Sequence, residues 1–296
     1  MTSIIEQVMV IAKGSYGDFH KLLAQTLLKE AVFENLKISD FFFEILKLFE
    51  PEFKNAYLST KEKEILQVAL LEKMNEALSD VFFHIARVID EYEDEHRPYY
   101  VMVSDMPFNE TFATSVGGFS KQQMGLFDMW LQLMYVTNGN KDGQISVDQA
   151  LNAIDQMQYT MPKKQIQDMI QKMVSEKWLI DVSCAIYLLV NPLWFKEDGM
   201  LRLHPRALAE LRQVLRSEPF SVPACSTCQN LVSNLPTGIR CPCGVILHKH
   251  CYEAVQGAAI GLEFRCDSCG NVIQNSQEAE NDRPLILDAE ENSDED

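Results

Sequence analysis

Four closely spaced pairs of thiol and imidazole side chains crowd the last quarter of the sequence: Cys225-x2-Cys228, Cys241-x-Cys243, His248-x2-Cys251 and Cys266-x2-Cys269. A two-residue spacer lets one tight turn present two ligands to a single ion, and zinc takes four tetrahedral sulfur or nitrogen ligands. Eight ligands therefore predict two closed, structural zinc sites with no open position for a catalytic water. Two pairings fit the spacing: consecutive pairs share an ion, or the first pair joins the third and the second the fourth. His248 is preferred to His250 as the imidazole ligand, because it keeps the two-residue spacer whereas His250 adjoins Cys251 and points away from it. A segment this short has no large core, so metal binding must supply folding free energy, on the order of 10 kcal/mol per site.

Seven of the eight cysteines lie between 225 and 269, and Cys184 stands alone among apolar residues. Paired cysteines at short spacing, with no charged segment ahead of an apolar leader at the N-terminus, favour metal over disulfides. No run approaches the ~18 apolar residues of a membrane span, so a folded chain that is neither secreted nor inserted is expected. Length (296 residues) suits two or three domains. The net charge of −17 repels nucleic acid, although nine acidic residues and one arginine fall in 275–296, which reads as a disordered acidic tail. No Lys/Arg cluster marks a basic face elsewhere.

The elements that must carry the ligand-rich segment come before it. After an N-terminal segment, 1–15, apolar residues at helical spacing predict helices over 16–33 and 41–49, the second behind the possible caps Ser39 and Asp40. Ser59 and Glu62 form a capping box, and Ile65, Val68, Leu71, Leu78, Val81, Phe82, Ile85 and Val88 continue as one long helix, followed by a strand at 99–103. Three helices closed by β structure predict a winged-helix unit over 16–105. The order repeats over 118–216: Ser120 with Gln123, Ser146 with Gln149, and Pro162 each open a helix, residues 178–193 pair with 200–203 as a hairpin, and Pro205 starts a last helix. The predicted fold class is α+β, mainly helical, with tandem winged-helix domains followed by a small two-zinc domain at 222–274.

Three other features have plainer explanations. Residues 138–149 resemble a calcium loop, but Gln149 replaces the bidentate glutamate at the twelfth position, so a turn into a capped helix is expected. Lys163, Lys164, Lys172 and Lys177 are diluted by Asp168 and Glu176 and read as a solvated face. His84 and Cys184 sit in apolar patterns and read as core residues.

The ligand order, four cysteines, one histidine and three cysteines, resembles RING-variant and plant-homeodomain fingers. That resemblance implies a cross-brace, with Cys225, Cys228, His248 and Cys251 on one zinc ion and Cys241, Cys243, Cys266 and Cys269 on the other. Two winged-helix patterns ahead of such a RING-like finger resemble the non-SMC element 1 family of the structural maintenance of chromosomes 5/6 complex. The motifs Arg97-Pro-Tyr-Tyr-Val, Glu176-Lys-Trp-Leu-Ile180 and Cys243-Gly-Val-Ile-Leu-His248-Lys-His-Cys251 carry that likeness, and residues 182–195 look like an extension of the family's shorter wing. The resemblance implies a nuclear, chromatin-associated subunit in DNA repair and recombination, docked on a MAGE-type subunit near a kleisin, touching DNA only through the complex. It also implies RING-type ubiquitin-ligase activity through an E2 ubiquitin-conjugating enzyme, with no catalytic residue of its own. Active RINGs carry an aliphatic residue between the first two ligands, a proline after the seventh and a basic residue after the eighth. Here those positions hold Thr227, Asp267 and Gly270, so the implied activity depends on partners. The alternatives are a purely structural subunit and a histone-reading finger, the latter suggested by Phe264 two residues before the seventh ligand.

Overall fold

The computed structural model describes residues 3–93, 96–106, 118–137, 142–182, 199–258 and 264–273. The first helical unit contains α1 (Ile4–Lys13), α2 (Asp18–Glu30), β1 (Val32–Glu34), α3 (Lys37–Phe49), α4 (Thr60–Ser79), β2 (Phe83–Ile89) and β3 (Pro98–Ser104). Its sheet has the order β1-β3-β2, all antiparallel, with Val32 opposite Val101 and Ile85 opposite Met102. Val8, Leu23, Leu27, Phe42, Leu46, Leu66, Leu70 and Met74 fill the core between helices and sheet. The segment before residue 16 is thus a helix of this core, opened by a capping box between Ser3 and Glu6.

Three expectations for this unit need correction. The long helix does not run to Val88: α4 stops at Ser79, Phe82 takes a positive φ of 59°, and residues 83–89 form β2. Pairing with β3 outweighs helical periodicity there, and Asn75 fixes the turn, its Oδ1 accepting from Ile85 N at 2.6 Å while its Nδ2 donates to Ile85 O at 3.3 Å. His84, expected in the core, is half-buried on β2, with Nδ1 2.8 Å from Asp105 Oδ1. Nor do Ser39 and Asp40 cap α3. Ser39 N donates instead to the buried Gln67 of α4 at 2.9 Å, and Gln67 Nε2 donates to Asn35 O at 2.6 Å, so a distant amide satisfies the helix start.

The second unit repeats the order: α5 (Lys121–Tyr135), β4 (Gln144–Ser146), α6 (Val147–Asn152), α7 (Lys163–Ser175), β5 (Leu179–Asp181), β6 (Met200–Leu203), then α8 (Pro205–Glu210) and α9 (Arg212–Arg216). Both units run helix, strand, helix, helix, strand, strand, and both place the last strand between the other two. The capping boxes at Ser120 and Ser146 form as read from the sequence, and Trp130, fully buried, donates from Nε1 to Ala150 O at 2.9 Å. The β5–β6 pairing, Leu179 opposite Leu203, matches the expected hairpin; most of its connection, with Cys184, lies outside the described residues, as does the acidic tail. Among the described residues, no helix is long and apolar enough to cross a membrane.

The two units share an interface. Ala209 of α8 packs into an apolar cluster with Val32, Val88, Tyr99, Val101 and Val103 from the first sheet. Beside it, Arg202 of β6 donates to Asp90 Oδ1 at 2.7 Å, and both side chains are buried. His204 caps α8, its Nδ1 accepting from Arg206 N at 3.0 Å, while its ring meets Tyr99 edge-on. Burial, followed by the charges of Lys177, Arg202 and Arg206, holds His204 down to about 3. The folded state then refuses a proton that the unfolded chain takes up near pH 6.5. Stability is expected to fall as pH drops from 6.5 towards 3, with a slope up to about 1.4 kcal/mol per unit steeper than in His204→Asn, which keeps a helix cap without titrating. Urea unfolding of both chains across that pH range measures the difference.

Candidate metal centre

Past α9 the chain forms a third, smaller body with β7 (Ile239–Arg240), β8 (Ile246–Leu247) and α10 (Lys249–Ala258), packed around Val232, Ile239, Ile246, Leu247, Tyr252 and Ile273. Three tight turns present the cysteine pairs. In two of them the chain reverses in the same way: Cys225 N donates to Asn230 O and Gln229 N to Cys225 O, as Cys266 N donates to Asn271 O and Gly270 N to Cys266 O. The residue after the second cysteine takes a positive φ in both, 63° at Gln229 and 72° at Gly270. The Cys241-Pro-Cys243 turn is one residue shorter and closes with Gly244 N on Cys241 O, Gly244 standing at φ 92°. Glycine meets no steric penalty at such angles. β8 then leads into α10, which carries Cys251 one turn after His248.

These turns bring the eight predicted residues into two quartets, Cys225, Cys228, His248 and Cys251, and Cys241, Cys243, Cys266 and Cys269, with ligand atoms within 4.8 Å of one another in each. The first and third pairs converge, and so do the second and fourth. In the first quartet His248 Nδ1 lies 3.2 Å from Cys228 Sγ and 3.8 Å from Cys251 Sγ; in the second, Cys241 and Cys269 sulfurs lie 3.4 Å apart and Cys243 and Cys266 sulfurs 3.6 Å. Four donors about 2.0–2.3 Å from a central ion define a tetrahedron with edges of roughly 3.3–3.8 Å. Both quartets fit a metal ion. The first is the more buried, whereas Cys243 and Cys269 of the second face solvent.

The tautomer of His248 follows from its contacts. Nε2 lies 2.8 Å from Leu231 O, which can only accept, so Nε2 carries the proton and the Nδ1 lone pair faces the thiols. The His248 backbone N–H points at Cys225 Sγ, 3.4 Å away, supporting a thiolate there. His250, the rejected alternative, stacks on His248 with ring centroids 4.7 Å apart and lies next to His96.

One residue beside the first quartet was not legible in the sequence. Glu91 is 5% exposed and accepts from Ser233 N (2.7 Å), Ser233 Oγ (2.8 Å) and Asn234 N (3.2 Å). Its Oε1 also lies 3.7 Å from His248 Nε2. Burial holds this carboxyl above its ordinary pKa, an effect that His248, Ser233 and Asn234 only partly offset. No local signal marks a contact across about 140 residues.

The calcium-like loop turns out to serve the same junction. Gln149 is held in the capping box, its Oε1 accepting from Ser146 N at 2.8 Å, and residues 138–141 lie outside the described ones. Gly143, at φ 67°, leaves no room for a side chain: a Cβ would stand 2.7 Å from Ser233 O. Two of the α7 lysines pair along their own helix, Lys164 with Asp168 and Lys172 with Glu176.

No protein-family model matches the chain. It is 27% identical over 266 residues to the non-structural maintenance of chromosomes element 1 homolog of Rattus norvegicus, covering 87% of this chain and 85% of that protein. Against the Homo sapiens homolog the figures are 25% over 261 residues, 87% and 85%. The chain is similar to the non-structural maintenance of chromosomes element 1 homologues over most of its length. A solved chain of an Nse1-Nse3-Nse4 complex shares the fold with a TM-score of 0.60 at 19% identity, over 88% of this chain and 97% of that one. Cys251→Ala is expected to unfold the small body, because the two quartets interleave along it and the first ties residue 225 to residue 251, and to leave the helical units folded on their own cores. Limited proteolysis should then cut within 222–273 while the far-ultraviolet helical signal is largely retained; global loss of helix would contradict the division.

Proposed function

We propose that this chain is a nuclear subunit of a structural maintenance of chromosomes 5/6-type complex acting in DNA repair and recombination. Residues 16–105 and 118–216 serve as winged-helix domains, and 222–274 as a RING-like finger holding two structural zinc ions. The observation that carries this reading is the interleaving of the quartets, first pair with third and second with fourth, the pattern of a cross-brace. Seven thiol ligands and one imidazole favour zinc over harder cations. The repeated helix, strand, helix, helix, strand, strand order supports the winged-helix assignment. The solved neighbour, an Nse1-Nse3-Nse4 complex, supports a MAGE-type and a kleisin partner.

In this reading the finger performs no covalent chemistry. It holds a ubiquitin-charged conjugating enzyme so that the thioester meets a lysine, a gain from proximity and orientation. Thr227, Asp267 and Gly270 stand exposed on the ligand-bearing turns, so the surface offered to that enzyme lacks the aliphatic, proline and basic residues of active RINGs. Those positions favour a second reading, in which zinc serves folding alone and the chain is a structural subunit. Phe264 lends the histone-reading alternative little, since its ring packs edge-on against Tyr252 inside the finger. A partner bound to the helical units raises the effective concentration of a weakly held enzyme.

Ubiquitin-chain formation should therefore be absent for the chain alone, appear when MAGE-type and kleisin subunits are added, and vanish in that complex with Cys266→Ala. Full activity of the isolated chain, or an unaffected Cys266→Ala complex, would refute the ligase mechanism. Inactivity in every sample would favour the structural subunit.

A further inference from the structure

We infer that Glu91, a residue of the first helical unit, is an outer-sphere carboxylate of the His248-bearing metal site and sets how tightly that site keeps its ion. The inference rests on the two-zinc reading above. Metal-bound imidazoles are commonly oriented through their second nitrogen by a carboxylate or carbonyl, which fixes the ring and raises its basicity. His248 has both kinds of partner on one side: Leu231 O at 2.8 Å from Nε2 and Glu91 Oε1 at 3.7 Å from the same atom.

Glu91 acts through two routes. Its charge faces the Nε2–H of His248 in a setting closed to water, the two side chains being 5% and 4% exposed. There the attraction between the carboxylate and the imidazole N–H is little screened by solvent. It also clamps the segment that carries the other partner. Ser233 N, Ser233 Oγ and Asn234 N all donate to its two oxygens, which fixes the chain just after Leu231, so the carbonyl that orients His248 is held in turn by Glu91. Asn230 Nδ2 donates to Arg87 O at 2.8 Å, tying the other side of Leu231 to β2. The second quartet is built differently: Cys241, Cys243, Cys266 and Cys269 are an all-sulfur set with two members exposed. The two sites should therefore respond differently to a change at residue 91. Glu91 is a positioning residue, and it makes metal retention in the finger a property of the assembled chain.

The test uses the full-length chain. Zinc release to an excess of a chromophoric chelator is followed in the wild type, Glu91→Gln, Glu91→Asp and Ser233→Ala. The wild type should release two ions. Glu91→Gln should release one of them faster by about 10–100-fold, the usual cost of losing such a partner, with the other unchanged. Glu91→Asp, which keeps the charge but draws it back by one methylene, should fall between, and it serves as the reading if Glu91→Gln does not fold. Ser233→Ala removes one of the three bonds of the clamp and keeps the carboxylate, and should release that ion at a rate between those of the wild type and Glu91→Gln. Cadmium-113 substitution identifies the site, because a three-sulfur, one-nitrogen set and a four-sulfur set resonate apart. Only the former signal should move in Glu91→Gln. Unchanged release, equal acceleration of both ions, or a shift of the four-sulfur signal alone would overturn the inference. Fewer than two ions in the wild type would overturn the metal reading itself.

Discussion

Three consecutive residues at the tip of the β2–β3 hairpin, Asp90, Glu91 and Tyr92, hold the parts of this chain together, each reaching a different element. Asp90 pairs with Arg202 of the second unit, Glu91 takes three hydrogen bonds from Ser233 and Asn234 of the metal-binding body, and the Tyr92 hydroxyl donates to the Asp142 carbonyl ahead of β4. Arg202 also lies over the Tyr92 ring, 4.4 Å from its centroid. Burying two carboxylates and a guanidinium is costly unless every partner is present, and removing one member of a buried ion pair typically costs about 3–5 kcal/mol. The junction thus adds less to stability than to specificity. It tolerates one arrangement of the three bodies, and Gly143 sharpens the demand by letting the loop before β4 come against Ser233 O.

This arrangement bears on what the chain can do. A small metal-held body on a flexible tether would sample many orientations, whereas one clamped to both helical units presents its surface at a fixed angle to whatever those units bind. For a finger whose proposed task is to orient another enzyme, that geometry matters more than intrinsic affinity. The exposed Thr227, Asp267 and Gly270 are consistent with such a division of labour, in which binding strength comes from partners and direction from the scaffold.

How much of this could be read from the sequence depended on the range of each interaction. The eight ligands were legible because pairs one to two residues apart are presented by single turns, and the boxes at Ser59, Ser120 and Ser146 because a cap is a contact over three residues. The grouping of the pairs needed either a resemblance or a structure, since spacing fits both connectivities. What misled was long-range. The end of α4 is set by β3 and by Asn75, not by the run Val81-Phe82-Phe83, whose apolar side chains suit a helix equally well. Gln67, rather than Ser39, satisfies the start of α3 from 28 residues away. The burial of Asp90 and Glu91 has no local signature either, since their partners Arg202, Ser233 and Asn234 lie more than a hundred residues away.

The central claim is that the metal-binding body and the two helical units form one structure through the 90–92 junction. Amide hydrogen exchange on the chain before and after treatment with a metal chelator tests it most directly. The account predicts that chelation strips protection from 222–273 and also from the end of β2 and from β4, which lose Glu91's and Gly143's partners, while the cores of α2, α4, α5 and α7 stay protected. Loss of protection confined to 222–273, with the hairpin end unchanged, would contradict it.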